Sequence, residues 1–114
     1  MCVGAVARGR DVADAPRGLA VRRQRGEVGM LSRNVRIQAS ADAEKSFSGG
    51  HVMAMGTSKM FVEGVEFNRM GQNLTLARYP IHWHLVGDAQ GQYIRNAAIH
   101  DTYNRCVTVH GTNN

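Results

Sequence analysis

Hydrophobic and polar residues alternate in short stretches along the chain from Glu27 onward. Gly, Asn, Ser and Asp residues separate these stretches, and no stretch of helical length carries apolar residues at helical spacing. Alternation over about four to eight residues is typical of half-buried β-strands, because successive side chains of a strand point to opposite faces. The pattern predicts an all-β chain of strands and turns, with room for one helical turn in the polar loop at residues 39–50.

Two interleaved series of similar segments organise the repeats. The segments of the first series occupy residues 33–38, 63–68 and 95–100. The segments of the second series occupy residues 52–56, 81–85 and 107–111. Equivalent residues are 30 and 32 positions apart in the first series, and 29 and 26 positions apart in the second. Because the two series alternate along the chain, each repeat contains more than one strand.

A repeat of this length, with two or three short strands and no helix, is typical of one coil of a parallel β-helix. We therefore predict a parallel β-helix of about three coils over residues 27–114, with a β-sandwich of coincidental spacing as the alternative. Equivalent strands would pair in register about 4.8 Å apart and stack their inward residues in ladders. The predicted ladders are Val35/Val65/Ala97, Ile37/Phe67/Ile99, Val52/Ile81/Val107 and Ala54/Trp83/Val109. The equivalent turn positions are Asn34, Gly64 and Asn96.

One alternating segment combines two histidines with aromatic residues. Ile81, Trp83 and Leu85 fall on one side of this extended segment and are predicted to face the core. His82 and His84 fall on the other side and are predicted to face outward. One face of this strand is therefore predicted to be core, and the other is a candidate site.

Three histidines are the candidate metal ligands. In the ladder alignment His84 lies beside His110 of the neighbouring coil, so His82, His84 and His110 would converge on the outer wall. Three imidazoles around a divalent ion with one open position form a catalytic type of zinc site; zinc and calcium are the two ions we consider. The competing interpretation is structural, because histidines also stack on solvated strand faces and no acid at strand spacing orients these rings.

The net charge of +5 is unevenly distributed. Residues 1–26 hold six arginines against Asp11 and Asp14, a net charge of +4, whereas the rest of the chain has a net charge of +1. We interpret residues 1–26 as a disordered or mispredicted basic leader. A transit peptide fits less well, because serine is absent before Ser32 and two acids are present. The repeat region has no basic run interleaved with aromatic residues, which argues against nucleic-acid binding.

The C-terminal end of the sequence suggests that it is part of a longer protein. The chain stops at Asn114 directly after a strand pattern, so we expect a fragment. No apolar run is long enough for a secretory signal core or a membrane span, so we expect membrane contact only through other parts of the parent protein. Cys2 and Cys106 are expected to be free thiols or uninformative.

Several motifs follow one another from residue 27 to the end of the chain. They lie at residues 27–35, 49–53, 62–66, 69–72, 78–85 (Arg-Tyr-Pro-Ile-His-Trp-His-Leu), 87–88 and 99–105 (Ile-His-Asp-Thr-Tyr-Asn-Arg). Together they resemble the β-helix region shared by CEMIP, its transmembrane paralogue and the fibrocystin group. The resemblance implies a right-handed parallel β-helix in a large extracellular or cell-surface protein. The glycine-rich domain that precedes this region in the family is absent from the sequence.

The resemblance implies hyaluronan binding or cleavage for some members of this family, whereas fibrocystin-like members resemble non-catalytic receptors. We therefore expect a fragment of a protein that binds or depolymerises a hyaluronan-like glycosaminoglycan. The alternative is a structural, adhesive or receptor ectodomain segment. An enzymatic parent would be a polysaccharide depolymerase, and we expect the isolated fragment to be inactive. Asn73 begins an Asn-Leu-Thr sequon, which agrees with an extracellular glycoprotein.

Cleavage of a uronic-acid polymer needs acid–base groups and a cation that neutralises the uronate carboxylate. Asp88, Asp101 and His100 are the candidate catalytic residues. The candidate glycan-binding residues, which would neutralise a carboxylate or stack on a sugar ring, are Arg78, Tyr79, Arg95, Tyr103 and Arg105. The competing interpretation is that both aspartates are ordinary turn residues and that the tyrosines pack beside turns.

Overall fold

Eight short strands and one helical turn form along residues 30–113, the residues that the computed structural model describes. In chain order they are β1 (Val35–Gln38), α1 (Ala43–Ser46), β2 (Val52–Met55), β3 (Phe61–Glu63), β4 (Val65–Asn68), β5 (Ile81–Asp88), β6 (Tyr93–Arg95), β7 (Ala98–His100) and β8 (Val107–Asn113). The all-β prediction is confirmed, and the helical turn lies in the polar loop that was expected to hold it.

Three sequence expectations concern the ends of the chain and the membrane. The predicted leader, residues 1–26, lies outside the described residues, and so does Cys2. Cys106 is disulfide-bonded, so the expectation of a free thiol is wrong there. Within residues 30–113, no helix has the length and apolar character needed to cross a bilayer.

All pairings between the named strands are parallel. β1, β4 and β7 form the first sheet, β2, β5 and β8 form the second, and β3 and β6 form the third. Along the chain, successive strands visit the first, second and third sheets in the same order each time. A β-sandwich, which is built from antiparallel sheets, does not have this pairing.

The register of the first two sheets is the one that the repeat predicts. Phe67 pairs with Ile37 on one side and with Ile99 on the other. The second sheet contains both predicted ladders, Val52/Ile81/Val107 and Ala54/Trp83/Val109. Paired residues lie 25 to 32 positions apart in the sequence, so long-range pairing and not local sequence brings them together.

The third sheet was not predicted. β3 and β6 are only three residues long, and they pair with each other along their whole length. Gly64 and Asn96 separate them from β4 and β7, with φ angles of 65° and 50°. Both are predicted turn positions, and glycine and asparagine tolerate this left-handed backbone better than other residues. The repeat pattern continues across these turns and therefore hides the break between strands.

The apolar core is centred on β4 and β5, the strands that have a paired strand on both sides. Phe67 and Ile81 are 1% and 0% exposed, and Trp83 belongs to the same cluster. Val35 and Val109, at the outer ends of their ladders, are exposed. The reason is that β1 and β8 have a paired strand on one side only among the described residues.

The prediction that Leu85 faces the core is wrong, because its side chain is 58% exposed. The register between β5 and β8 shifts between His84 and Gly87. Leu85 lies at this irregularity with a φ angle of 51°, in the left-handed region. The regular alternation of β5 therefore ends at His84, and the next side chain turns away from the core.

A partly buried hydrogen bond fixes the orientation of Trp83. The indole Nε1 donates to Oε1 of Gln92 at 2.9 Å, and the backbone amide of Met60 donates to the same oxygen at 2.7 Å. A buried indole needs such a partner because its N–H group loses water on folding. Gln92 thus connects the core side of β5 to the segment that leads into β3.

Replacing Phe67 with alanine should lower the free energy of unfolding by about 3–5 kcal/mol, because a buried phenylalanine leaves a cavity. Phe61 is the matched control, since it also lies on a strand but is 55% exposed and contacts Tyr93 edge-on at 5.5 Å. Phe61→Ala should cost about 1 kcal/mol. Urea unfolding followed by Trp83 fluorescence measures both losses, and equal losses would contradict a core centred on β4.

Candidate functional site

The structure brings three imidazoles together on the second sheet, and we call His82, His84 and His110 the histidine cluster. His84 and His110 are register partners on β5 and β8, and His82 precedes His84 by two positions on β5. One ring nitrogen from each histidine lies within 4.8 Å of the others. The Nδ1 atoms of His84 and His110 are 3.2 Å apart, and their rings stack with centroids 5.2 Å apart. The convergence expected from the ladder alignment is therefore present.

His82 lies with His84 and His110, as predicted for the outward side of β5, but it is only 2% exposed and so is not on the solvated strand face of the competing interpretation. The segment between β4 and β5 folds over it. The Tyr79 ring packs edge-on against the imidazole at a centroid distance of 5.0 Å, and the Ala77 carbonyl reaches its Nδ1 atom. The cluster thus has one buried member, His82, and two more accessible members, His84 and His110.

The hydrogen bond to Ala77 determines which nitrogen of His82 carries the proton. Nδ1 lies 3.2 Å from the Ala77 carbonyl oxygen, and a carbonyl oxygen can only accept, so Nδ1 donates. Nε2 is buried and has no hydrogen-bond partner. Burial lowers the pKa of His82, and the positive charges that His84, His110 and His51 can carry lower it further, although the Ala77 carbonyl opposes the shift. His82 is therefore a neutral imidazole with an unshared lone pair on Nε2.

A cleft of about 350 Å³ opens beside the histidine cluster. Its other lining residues are Leu76, Ala77, Tyr79, Arg105, Thr108 and Val109. Thr108 is the register partner of His82, and its hydroxyl is also buried without a hydrogen-bond partner. Two polar atoms of the lining residues, His82 Nε2 and Thr108 Oγ1, therefore have no hydrogen-bond partner among the described residues.

A second group of polar residues lies on the first sheet, and we call Glu66, His100 and Asp101 the carboxylate–histidine group. His100 lies between two carboxylates, with Nε2 at 3.2 Å from Glu66 and Nδ1 at 2.8 Å from Asp101. Asn68 donates to the same Asp101 oxygen at 3.1 Å. His100 and Asp101, two of the candidate catalytic residues, are thus in contact.

The sequence reasoning missed Glu66, which is 2% exposed. Its carboxylate accepts hydrogen bonds from Arg36 Nε at 2.9 Å and from the Arg33 amide at 3.1 Å, as well as from His100. Burial by itself would raise the pKa of Glu66, but these hydrogen bonds outweigh it and lower the pKa. The register pair Arg36 and Glu66 was a usable signal, because opposite charges face each other across β1 and β4.

The pKa of Asp101 is also lowered, chiefly by the hydrogen bond from His100 and further by Asn68 and Arg69, while burial opposes the shift. A general acid at neutral pH needs a raised pKa, and a general base works best with a pKa near the operating pH. The environment of Asp101 therefore suits an ionised structural carboxylate better than a proton carrier. Asp88 ends β5 on the second sheet and accepts the Gln90 amide at 2.8 Å, as expected for a turn residue.

The candidate arginines lie in three different settings. Arg95 bonds to Glu63 at 2.8 Å, and its guanidinium lies 4.3 Å above the ring of Tyr93. Arg78 is 2.8 Å from Nε2 of His51. Burial, followed by the charge of Arg78, lowers the pKa of His51. Arg105 is the arginine that lines the cleft beside the histidine cluster.

The tyrosines and the sequon also have defined places. Tyr79 is buried against His82, so it belongs to the packing around the cluster. Tyr103 contacts Phe47 edge-on at 5.8 Å, and burial raises the pKa of its hydroxyl, which has no hydrogen-bond partner. Asn73 is exposed, as a glycosylation acceptor must be.

Acid should destabilise the fold through Glu66 and Asp101. Both carboxyls have a lower pKa in the folded chain, so the unfolded chain binds protons first as the pH falls. Their stabilisation is complete above the ordinary carboxyl range, roughly pH 4–4.5, and disappears as the pH falls through the folded-state values. Urea unfolding measured from neutral to acidic pH should show this loss.

The Glu66→Gln variant isolates the buried carboxylate. Its free energy of unfolding at neutral pH should be lower than that of the wild-type chain by about 1–3 kcal/mol, because hydrogen bonds to a charged acceptor are lost. As the pH falls, its free energy of unfolding should decrease less steeply than that of the wild-type chain. Glu63→Gln is the matched control on an exposed carboxylate and should have the smaller effect. A Glu66→Gln chain with wild-type stability at pH 7 would contradict the assigned hydrogen bonds.

Known proteins resemble this chain over most of its length. The sequence profile of the family described as CEMIP beta-helix matches residues 47–114. The human cell migration-inducing and hyaluronan-binding protein is 39% identical over 111 aligned positions, which cover 78% of this chain and 8% of that protein. Two Dictyostelium discoideum proteins, communication mutant protein F and protein rliB, are 44% and 39% identical, and each alignment covers 77% of this chain and 8% of the relative. No solved structure matches the chain.

Proposed function

The chain belongs to the CEMIP β-helix family, and we propose that it forms about three coils of a right-handed parallel β-helix in a longer protein that binds a hyaluronan-like glycosaminoglycan. The chain spans about 8% of the length of the relatives that it matches. We therefore propose depolymerisation of that polymer as an activity of the longer protein and not of this chain alone. The observation that carries the binding proposal is the cleft beside the histidine cluster.

The order of the strands supports the coils. Successive strands visit the three sheets in a fixed order, and each strand pairs in parallel with the strand one repeat away. One coil per repeat produces this arrangement, since each coil contacts only its neighbours. A crystal structure of the longer protein tests the proposal: further coils should stack on β1 or β8, and antiparallel partners at those edges would contradict it.

The cleft offers groups that a carboxylated sugar polymer needs. Arg105 lines it, and a guanidinium can bind a carboxylate through two parallel hydrogen bonds. The unpartnered hydroxyl of Thr108 can bond to a sugar hydroxyl or acetamido group. Leu76 and Val109 provide apolar surface for the face of a sugar ring.

Two further observations agree with an extracellular glycan-binding protein. The name of the human relative describes hyaluronan binding. Asn73, the acceptor position of the Asn-Leu-Thr sequon, is exposed on the segment between β4 and β5. Mass spectrometry of the protein secreted from eukaryotic cells, with and without Asn73→Gln, tests glycosylation at this position.

The geometry favours binding by this chain over cleavage by it. His100 and Asp101 are held in the carboxylate–histidine group, where Asp101 has a lowered pKa, and Asp88 lies on a different sheet. Hydrolysis needs two carboxyls that face one glycosidic bond. Hyaluronan turnover by Asp88→Asn, Asp101→Asn and His100→Gln variants of the longer protein tests these candidate catalytic residues directly.

A non-catalytic structural, adhesive or receptor segment of the fibrocystin-like type is the second candidate. One observation favours it: Arg95, a candidate glycan-binding residue, is paired with Glu63 on the neighbouring strand and stacked on Tyr93. A strand face neutralised in this way attracts a polyanion only weakly.

Arg105→Ala should weaken binding of hyaluronan oligosaccharides by about 10- to 100-fold, because a charge-assisted hydrogen bond to the uronate is lost. Arg95→Ala removes the same charge from β6, outside the lining of the cleft, and should change affinity much less. Isothermal titration calorimetry with purified oligosaccharides measures both variants. Equal losses of affinity in the two variants would indicate non-specific charge attraction. Unchanged binding by Arg105→Ala would contradict the proposal that the cleft binds the polymer.

A further inference from the structure

We propose that His82, His84 and His110 bind one zinc-class divalent metal ion on the second sheet, with a fourth coordination position that opens to the cleft. The proposal is independent of the polymer, because it concerns retention of a metal ion by the chain itself. It depends on three observations: the number and distance of the ligand atoms, the hydrogen bonding of His82, and the chemistry of the donors.

The ligand atoms are close to the spacing that a tetrahedral ion requires. Zinc binds imidazole nitrogen at about 2.0–2.1 Å, which places two ligand nitrogens roughly 3.3 Å apart. The Nδ1 atoms of His84 and His110 are 3.2 Å apart, and the whole set lies within 4.8 Å. Metal binding therefore requires this set to contract to about 3.3 Å, through rotation of the two more accessible imidazoles, His84 and His110, around a fixed His82.

The hydrogen bonding of His82 is an independent indication of a ligand. A buried polar atom without a partner costs about 1–3 kcal/mol, and such atoms are rare in native proteins. Nε2 of His82 is such an atom, and it belongs to a side chain that is 98% buried. Metal-bound histidines usually donate their other ring N–H group to a carbonyl or carboxylate. Nδ1 of His82 already donates to the Ala77 carbonyl, so the ring has the tautomer of a metal ligand.

The donor set favours zinc and excludes calcium as the natural occupant. Calcium takes about six to eight oxygen ligands, whereas imidazole suits zinc, copper, nickel and cobalt. Among the described residues, the group that converges here consists of imidazoles alone. Of the two ions considered from the sequence, zinc is therefore the one that the residues fit.

The fourth position distinguishes this site from a purely structural one. Structural zinc sites are almost always closed by four protein ligands, whereas catalytic sites have three protein ligands and one exchangeable position. Three ligands are present here, and the cleft that all three histidines line also carries Arg105 and the unpartnered Thr108 hydroxyl. Water or an oxygen atom of a bound ligand would occupy the open position.

Cobalt(II) is the probe for the geometry, because a four-coordinate cobalt ion absorbs visible light far more strongly than an octahedral one. The full 114-residue chain, freed of metal with a chelator, should bind one equivalent of cobalt with tetrahedral absorption bands. One equivalent of zinc should abolish the bands, and calcium in excess should not. Elemental analysis of the chain purified without chelator should find zinc at a comparable stoichiometry.

Two variants and one control locate the site. His84→Ala and His110→Ala alter the two more accessible members of the histidine cluster, so the fold should persist. Each substitution should weaken zinc binding by more than about 100-fold, which exceeds the usual effect of removing a residue that only hydrogen-bonds a metal ligand. His51→Ala is the matched control, because His51 is bonded to Arg78 and lies outside the cluster. It should retain one equivalent of zinc. Circular dichroism of each variant verifies that the strands persist.

Several outcomes would overturn the proposal. They are the absence of tetrahedral bands in the wild-type chain, octahedral bands only, and equal loss of binding in His51→Ala and His84→Ala. A water molecule on His82 Nε2 in a crystal grown with zinc present would also contradict it. Hyaluronan binding is measured separately on the metal-free chain, so loss of one property does not decide the other.

Discussion

In-register parallel pairing between strands one repeat apart is the constraint on which the rest of the structure depends. It places His84 beside His110 and Arg36 beside Glu66, although each pair is separated by 26 or 30 positions in the sequence. A slip of one residue would exchange the inward and outward faces of a strand. The core, the histidine cluster and the carboxylate–histidine group therefore depend on the same register. A substitution that destabilises the core should also disturb the distances within both groups.

The segment between β4 and β5 adds what pairing alone cannot supply. It places Tyr79 against His82 and directs the Ala77 carbonyl at the imidazole, with Ala77 itself at a φ angle of 66°. Non-glycine residues adopt this backbone rarely, and it persists only where the surrounding structure enforces it. Strands thus bring the histidines together, while an irregular segment makes one of them buried, neutral and oriented.

Features that depend on strand pairing were predicted from the sequence, whereas features that depend on irregular segments were not. The ladders of the first two sheets and the convergence of the histidines were predictable, because equivalent residues recur at nearly constant spacing. The third sheet was not, since strands of three residues are too short to show alternation. The exposure of Leu85 and the burial of His82 depend on a left-handed backbone and on a covering segment, which side-chain alternation does not encode.

The two histidine environments have opposite electrostatics, and this contrast separates structural from ligand-binding roles. His100 has a carboxylate at each ring nitrogen and is satisfied within the fold. His82 has a carbonyl at one nitrogen, no partner at the other, and two further imidazoles within ring contact. Protonating Nε2 of His82 would place a buried charge beside groups that can also become positive, which is costly. A divalent cation bound by one nitrogen of each ring would instead give His82 Nε2 a partner without placing a proton on it.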